Sequence, residues 1–218
     1  MNYRMVLFVL GRILGVEAVL MLLPLFTAAI YRENLLPFII PIATLLAIAL
    51  LLSIKPPRER AMHAKDGFVC VGLSWIIMSL FGALPFVIGG EISSYIDAFF
   101  ETVSGFTTTG ASILSNVESM SRGMLMWRSF THWIGGMGIL VFMLIFVQSS
   151  ADEMNIMKAE SPGPSVEKMV PKVRETALTL YAIYTTMTII LIIALIIAGM
   201  PAFDSACISF GTAGTGGV

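Results

Sequence analysis

Apolar residues run along this chain in long blocks rather than alternating with polar ones. Five blocks are long enough to cross a bilayer as helices: Val6–Tyr31, Leu35–Ile54, Gly67–Ile88, Met124–Val147 and Thr176–Ala198. A crossing needs about 20 mostly apolar residues. Two shorter stretches, DAFFETVSGFTTTGAS (Asp97–Ser112) and DSACISFGTAGTGGV (Asp204–Val218), begin apolar and then turn into threonine and glycine. They align without a gap at an offset of 107 residues, Asp97 on Asp204 and Thr108 on Thr215. Each is too short to span and rich in hydroxyls, yet lies beside spanning segments. The pattern predicts re-entrant loops, half a helix followed by extended backbone. Irregular backbone at membrane depth is tolerated only where protein buries it or water-filled space lies beside it.

Composition agrees with a membrane chain. Charged residues make up 12% of the sequence and mean hydropathy is +0.89, whereas a soluble domain carries roughly twice that charged share. The expected fold class is an all-α polytopic membrane protein. A net charge of −1 gives no electrostatic case for a nucleic-acid partner. Cys70 and Cys207 lie in apolar sequence without a CxxC or Cys/His cluster, so neither a disulfide framework nor a metal site is expected. No secretory leader is expected either, because the first block is long enough to span and no small-residue cleavage site follows.

Cationic loops set the orientation. Lys55–Lys65 holds Lys55, Arg58, Arg60 and Lys65, and Val147–Arg174 holds Lys158, Lys168, Lys172 and Arg174. The positive-inside rule places both in the cytoplasm, together with the N-terminus. Two spans then separate Asp97 from Asp204, so both short loops enter from the outer face. Inverted repeats would oppose each other; repeats of one sense can surround an axis normal to the membrane, as in a channel. Gly11-x-x-x-Gly15 is expected to let helices pack closely, and the run Gly135-Gly136-Met137-Gly138 either to do the same or to bend the fourth span. Arg122 on the outer side, Arg128 inside the fourth span and the intramembrane carboxylate Glu17 receive no role.

Asp97 and Asp204 stand where helix N-caps are expected. The C-terminal ends of such half-helices carry partial negative charge, which favours a cation there. Glu101 aligns with Ile208, so it has no carboxylate counterpart in the second copy, and it is expected to orient helix or loop through hydrogen bonds rather than bind an ion. The strings TTTGA (Thr107–Ala111) and GTGGV (Gly214–Val218) follow. Rings of backbone carbonyls can replace the hydration shell of a monovalent cation without trapping it. Glycine permits the backbone angles required, and threonine adds hydroxyl oxygens. GTAGTGG is neither a P-loop nor GxGxxG, and no HExxH or GxSxG occurs, so no enzyme is expected. His132 stands alone on the fourth span and His63 lies in the basic loop, both read as packing or interfacial residues.

DAFFETVSGFTTTGAS, HWIGGMGI (His132–Ile139), KAESPGP (Lys158–Pro164) and FDSACISFGTAGTGG resemble the TrkH branch of the Trk/Ktr/HKT potassium transporters. The similarity runs over essentially the whole chain, in order and spacing as well as in letters. It implies four membrane helix–pore helix–membrane helix repeats with re-entrant filter loops around one potassium-channel-like pore. Residues 1–54 would be an extra helix pair, 66–148 the first repeat, 149–173 a cytoplasmic linker and 174–218 a second repeat cut at its filter. The positions that bind potassium through adjacent carbonyls map onto Thr108, Thr109 and Gly110, and onto Thr215, Gly216 and Gly217. Glycine at 110, where some sodium-transporting plant members have serine, points to potassium as the transported ion; no bound cofactor is implied. The family also implies a bacterial inner membrane, a homodimer and a cytosolic nucleotide-binding RCK ring, with Lys55–Lys65 and Val147–Arg174 as contact surfaces. The chain is then expected to be the N-terminal part of a protein about twice as long, non-conducting alone. The rival expectation is a non-conducting accessory or assembly subunit whose loops only pack.

Overall fold

The computed structural model describes residues 3–54, 64–138 and 169–216. Outside it lie most of the Lys55–Lys65 and Val147–Arg174 loops, the far end of Met124–Val147, the KAESPGP motif and the expected filter position Gly217. Among the described residues there is no strand. The helices are α1 (Tyr3–Leu20), α2 (Leu22–Ile30), α3 (Leu36–Ser53), α4 (Ala64–Gly82), α5 (Leu84–Ile88) and α6 (Tyr95–Phe106). They continue as α7 (helical over 122–138), α8 (Met169–Ile197) and α9 (Ala202–Ala213). Among the described residues four stretches are long and apolar enough to cross a membrane: Tyr3–Ile30, Leu36–Ser53, Asp66–Ile88 and Glu175–Ile197. The expected fourth span, Met124–Val147, is helical as far as it is described.

Two of the spans are divided beside a proline where the sequence predicts one continuous helix. The first divides at Met21 into α1 and α2. Pro24 has no N–H for the Leu20 carbonyl, and its ring crowds that oxygen. The bonds on either side persist, Met21 N to Glu17 O at 2.9 Å and Leu25 N to Met21 O at 3.2 Å. Pro85 does the same at Ala83, between α4 and α5.

The paired glycines of α1 let it approach α3. A Cβ on Gly11 would stand 2.7 Å from Leu52 Cβ, and one on Gly15 would stand 3.6 Å from Ala49 Cβ. The core then passes without a break from the first helix pair into the following repeat: Leu14, Ala18, Met21, Phe38, Leu45, Phe86, Phe106 and Trp127 are all buried in one cluster. The Trp127 indole donates to the Gly82 carbonyl at 2.8 Å, beside the α4–α5 break. α8 is different: only 6% of its apolar window is buried, against 28–39% in the other three spans. Its apolar surface is therefore left for lipid or further protein.

Candidate functional site

The two short helices repeat each other in register. α6 and α9 each have 12 residues, and the same offset of 107 that aligns the sequences carries one helix onto the other. The predicted caps need correction. Asp97 and Asp204 are not N-caps but third residues, each in the first turn. Ser94 caps α6, its hydroxyl accepting from Asp97 N at 3.4 Å. Ser-x-x-Asp is a capping-box spacing, so the signal was present three residues upstream. Pro201 occupies the corresponding position before α9 and provides no side-chain cap. Asp204 instead accepts from Arg122 Nη1 at 3.0 Å. A first-turn carboxylate still complements the positive end of the helix dipole.

The C-terminal ends match more closely still. Thr108 N bonds Gly105 O at 3.0 Å and Thr109 N bonds Ser104 O at 2.9 Å; Thr215 N bonds Thr212 O at 3.0 Å and Gly216 N bonds Gly211 O at 2.8 Å. This is the Schellman closure, which places one residue in the left-handed region, usually glycine. Here that residue is threonine both times, with φ of 55° at Thr108 and 57° at Thr215. A β-branched side chain in that conformation costs about 1–3 kcal/mol. The sequence reading assigned such angles to glycine alone, and Gly110 does follow with φ of 74°.

Beyond the two closures the loops converge. A Cβ on Gly110 would overlap the Gly216 carbonyl oxygen and lie 2.8 Å from its carbon. The candidates Gly110 and Gly216 thus face each other, with Thr108 and Thr109 leading into one strand and Thr215 into the other. Among the described residues no group of three or more His, Cys, Asp or Glu could hold a metal ion. The oxygen shown at the meeting point is the Gly216 peptide carbonyl.

Side chains behind the first loop hold it in place. The buried Glu101 carboxylate accepts from Ser112 Oγ at 3.0 and 3.1 Å, from Ile113 N at 3.2 Å and from Arg128 Nε at 2.7 Å. It therefore orients the backbone that leaves the TTTGA string, as the sequence predicts. Arg128, unassigned from sequence, is its counter-charge, both side chains being almost fully enclosed. α7 also carries the glycines that admit the pore helices. A Cβ on Gly135 would overlap Phe106 O at the end of α6, and one on Gly136 would stand 3.0 Å from Gly214 Cα.

Arg122 also finds its role. Its backbone N–H and that of Gly123 donate to Glu33 at 2.7 and 2.9 Å, so a carboxylate from the α2–α3 turn satisfies the first N–H groups of α7. Its guanidinium lies 4.8 Å from the Phe203 ring and 6.0 Å from that of Tyr31. Glu17 is fully buried on α1 beside Gly82, with no hydrogen-bond partner for either oxygen among the described residues.

Two half-helices that end in facing glycine-bearing loops, set among helices of membrane-crossing length, define a pore-loop membrane protein. The family described as TrkH, cation transport protein, matches residues 38–210, and the chain belongs to that family. It is 36% identical over 222 residues to the Trk system potassium uptake protein TrkH of Vibrio parahaemolyticus, with 100% of this chain and 46% of that one aligned. TrkG of Escherichia coli, another Trk system potassium uptake protein, is 35% identical over 159 residues, 72% of this chain and 33% of that one. The crystal structure of the potassium transporter TrkH from Vibrio parahaemolyticus superposes with a TM-score of 0.79 at 32% identity. That superposition covers 96% of this chain and 42% of the other. The chain thus spans less than half the length of these relatives. It is a multi-pass membrane protein of a cation transport family rather than an enzyme.

Proposed function

We propose that this chain supplies the first two filter strands of a potassium uptake pore. The observation that carries the reading is the approach of Gly110 to Gly216 at the ends of two half-helices in identical register. Potassium sheds its water against the carbonyl oxygens of Thr108, Thr109 and Gly110 and of Thr215, Gly216 and Gly217. The negative ends of α6 and α9 add to the attraction. The Glu101 carboxylate does not compete for the ion, since it is bound to Arg128. Two strands do not encircle an ion, so further repeats complete the ring. The 218-residue chain alone is non-conducting.

The same reading places the protein in a bacterial cytoplasmic (inner) membrane with its N-terminus in the cytoplasm. Lipid covers exposed apolar residues such as Leu50, Leu51 and Ile197. Two copies pair as a homodimer on a cytosolic nucleotide-binding RCK ring. These features rest on the cationic pattern of the loops and on the family.

The test is rubidium uptake by potassium-uptake-deficient cells expressing the whole protein that carries this sequence. Gly110→Ser, which drives a side chain into the Gly216 carbonyl, should weaken uptake or make it sodium-tolerant. Unchanged uptake and selectivity would overturn the filter assignment.

A further inference from the structure

α8 buries almost none of its apolar surface, yet among its described side chains the buried one is polar: Thr188, 3% exposed. Hydrophobic burial does not account for this, since Ile190 and Ile193 stay exposed on the same helix. Thr188 and Tyr184, one helical turn apart, both grip a single residue of α7. The Trp133 indole donates to Thr188 Oγ1 at 3.1 Å, and the Tyr184 hydroxyl donates to the Trp133 carbonyl at 3.1 Å. Thr188 Oγ1 in turn donates to the Tyr184 carbonyl at 2.8 Å, which leaves its lone pairs for the indole. The Trp133 and Tyr184 rings lie 5.5 Å apart. Gly136 makes room for the hydroxyl, because a Cβ there would stand 2.7 Å from it.

The residue so gripped is the one on which the second loop rests. A Cβ on Gly214 would overlap the His132 carbonyl and stand 3.0 Å from Trp133 N. The His132–Trp133 peptide therefore lies directly against Gly214. The Trp133 ring also packs 5.8 Å from Phe210 of α9. Gly214 is the C-cap of α9, and it leads through the left-handed Thr215 to Gly216, whose carbonyl faces Gly110. Contacts this close leave no slack, and packed interiors transmit displacement. A rotation of the 132–133 peptide must carry Gly214 with it. The clasp from α8 holds that peptide on one side, and the second loop leans on it from the other.

We infer that Tyr184 and Thr188 are positioning residues of the second filter strand, acting through Trp133, so that α8 sets the placement of the strand and with it the preference for potassium over sodium. The inference rests on the filter assignment above.

The experiment measures the ratio of rubidium to sodium uptake in cells expressing the whole protein, because a loss of protein or of folding lowers both fluxes together. Tyr184→Phe and Thr188→Val each remove one hydroxyl and keep the bulk. Each should lower the ratio about fivefold, the size expected for one lost hydrogen bond. Thr188→Ser keeps the hydroxyl and should stay within about twofold of wild type. The double variant should fall short of the product of the two losses, because both hydroxyls hold one residue. Thr179→Val is the control: its hydroxyl bonds only within α8, to the Glu175 carbonyl at 2.8 Å, and the ratio should not change. Wild-type ratios in Tyr184→Phe and Thr188→Val would overturn the inference, as would an equal loss in Thr179→Val or a full product in the double variant. Either single variant decides if the other does not accumulate. Gly110→Ser in the same assay separates the two claims. If it shifts the ratio while the α8 variants do not, the filter stands and the clasp falls. If no variant shifts it, Gly110→Ser included, the filter assignment falls and takes this inference with it.

Discussion

The two re-entrant loops have one backbone and two different supports. Helix length, closure and the left-handed threonine coincide residue for residue between α6 and α9. The side chains behind them do not. The first loop has a serine cap and a buried carboxylate that gathers a hydroxyl, a backbone N–H and an arginine. The second has neither, since Pro201 and Ile208 occupy those places. It leans on neighbours instead: the His132 ring behind Gly216, Arg122 on Asp204, and Phe210 packed at a tilt against Phe130 and Trp133 at 5.3 and 5.8 Å. What repeats is the path of the peptide. On the proposed function a cation meets carbonyls, so the peptide path is shared while the scaffold behind it diverges.

Three sets of substitutions sharpen this contrast, taken from the largest effect downward. Glu101→Gln should strike only the internally braced loop, leaving Arg128 buried beside a neutral group. Breaking a buried ion pair from one side costs about 3–5 kcal/mol. Thermal unfolding of the purified protein in detergent should show a clear loss, with Arg128→Met in the same background restoring part of it. Stability unchanged by Glu101→Gln would mean that the pair does not brace the loop.

Thr108→Gly and Thr215→Gly address what the loops share. Each relieves a left-handed threonine and should stabilise the fold by about 1 kcal/mol, offset by the added freedom of the unfolded chain. The two gains should be similar, because the two φ values are. A gain at one site and a loss at the other would break the equivalence of the backbones.

Arg122→Gln removes the ion pair to Asp204, which is nearly half exposed on both sides. Exposed pairs contribute about 0–1 kcal/mol, so the melting temperature should move little. Limited proteolysis should nonetheless cut faster at the Pro201–Phe203 entry to α9 and leave the Ser94 entry to α6 unchanged.

Periodic and additive features were legible in the sequence. Span lengths, the offset between the loops, close packing at Gly11 and the orienting role of Glu101 follow from hydropathy, spacing and local chemistry. Features that depend on which segments meet in space were not. Glu101 and Arg128 are 27 residues apart and Arg122 and Asp204 are 82 apart, so no local pattern pairs them. His132 looked isolated because its neighbour Gly216 is distant in sequence and has no side chain to advertise the contact. The threonines at positive φ run against their own propensity, and the closure imposes that angle on whatever residue stands there. The misplaced caps are a different case: Ser94 and Asp97 both suit a helix start, and only hydrogen-bond geometry separates cap from third residue.

Glu33 carries a consequence for the order in which the molecule is built. It lies 89 residues before Arg122, whose N–H it accepts, and a ribosome delivers the N-terminus first. The acceptor for the start of α7 is therefore made before the helix that needs it. The opening helix pair is in this sense a template for biogenesis: a nascent α7 that emerges finds its docking partner already synthesised.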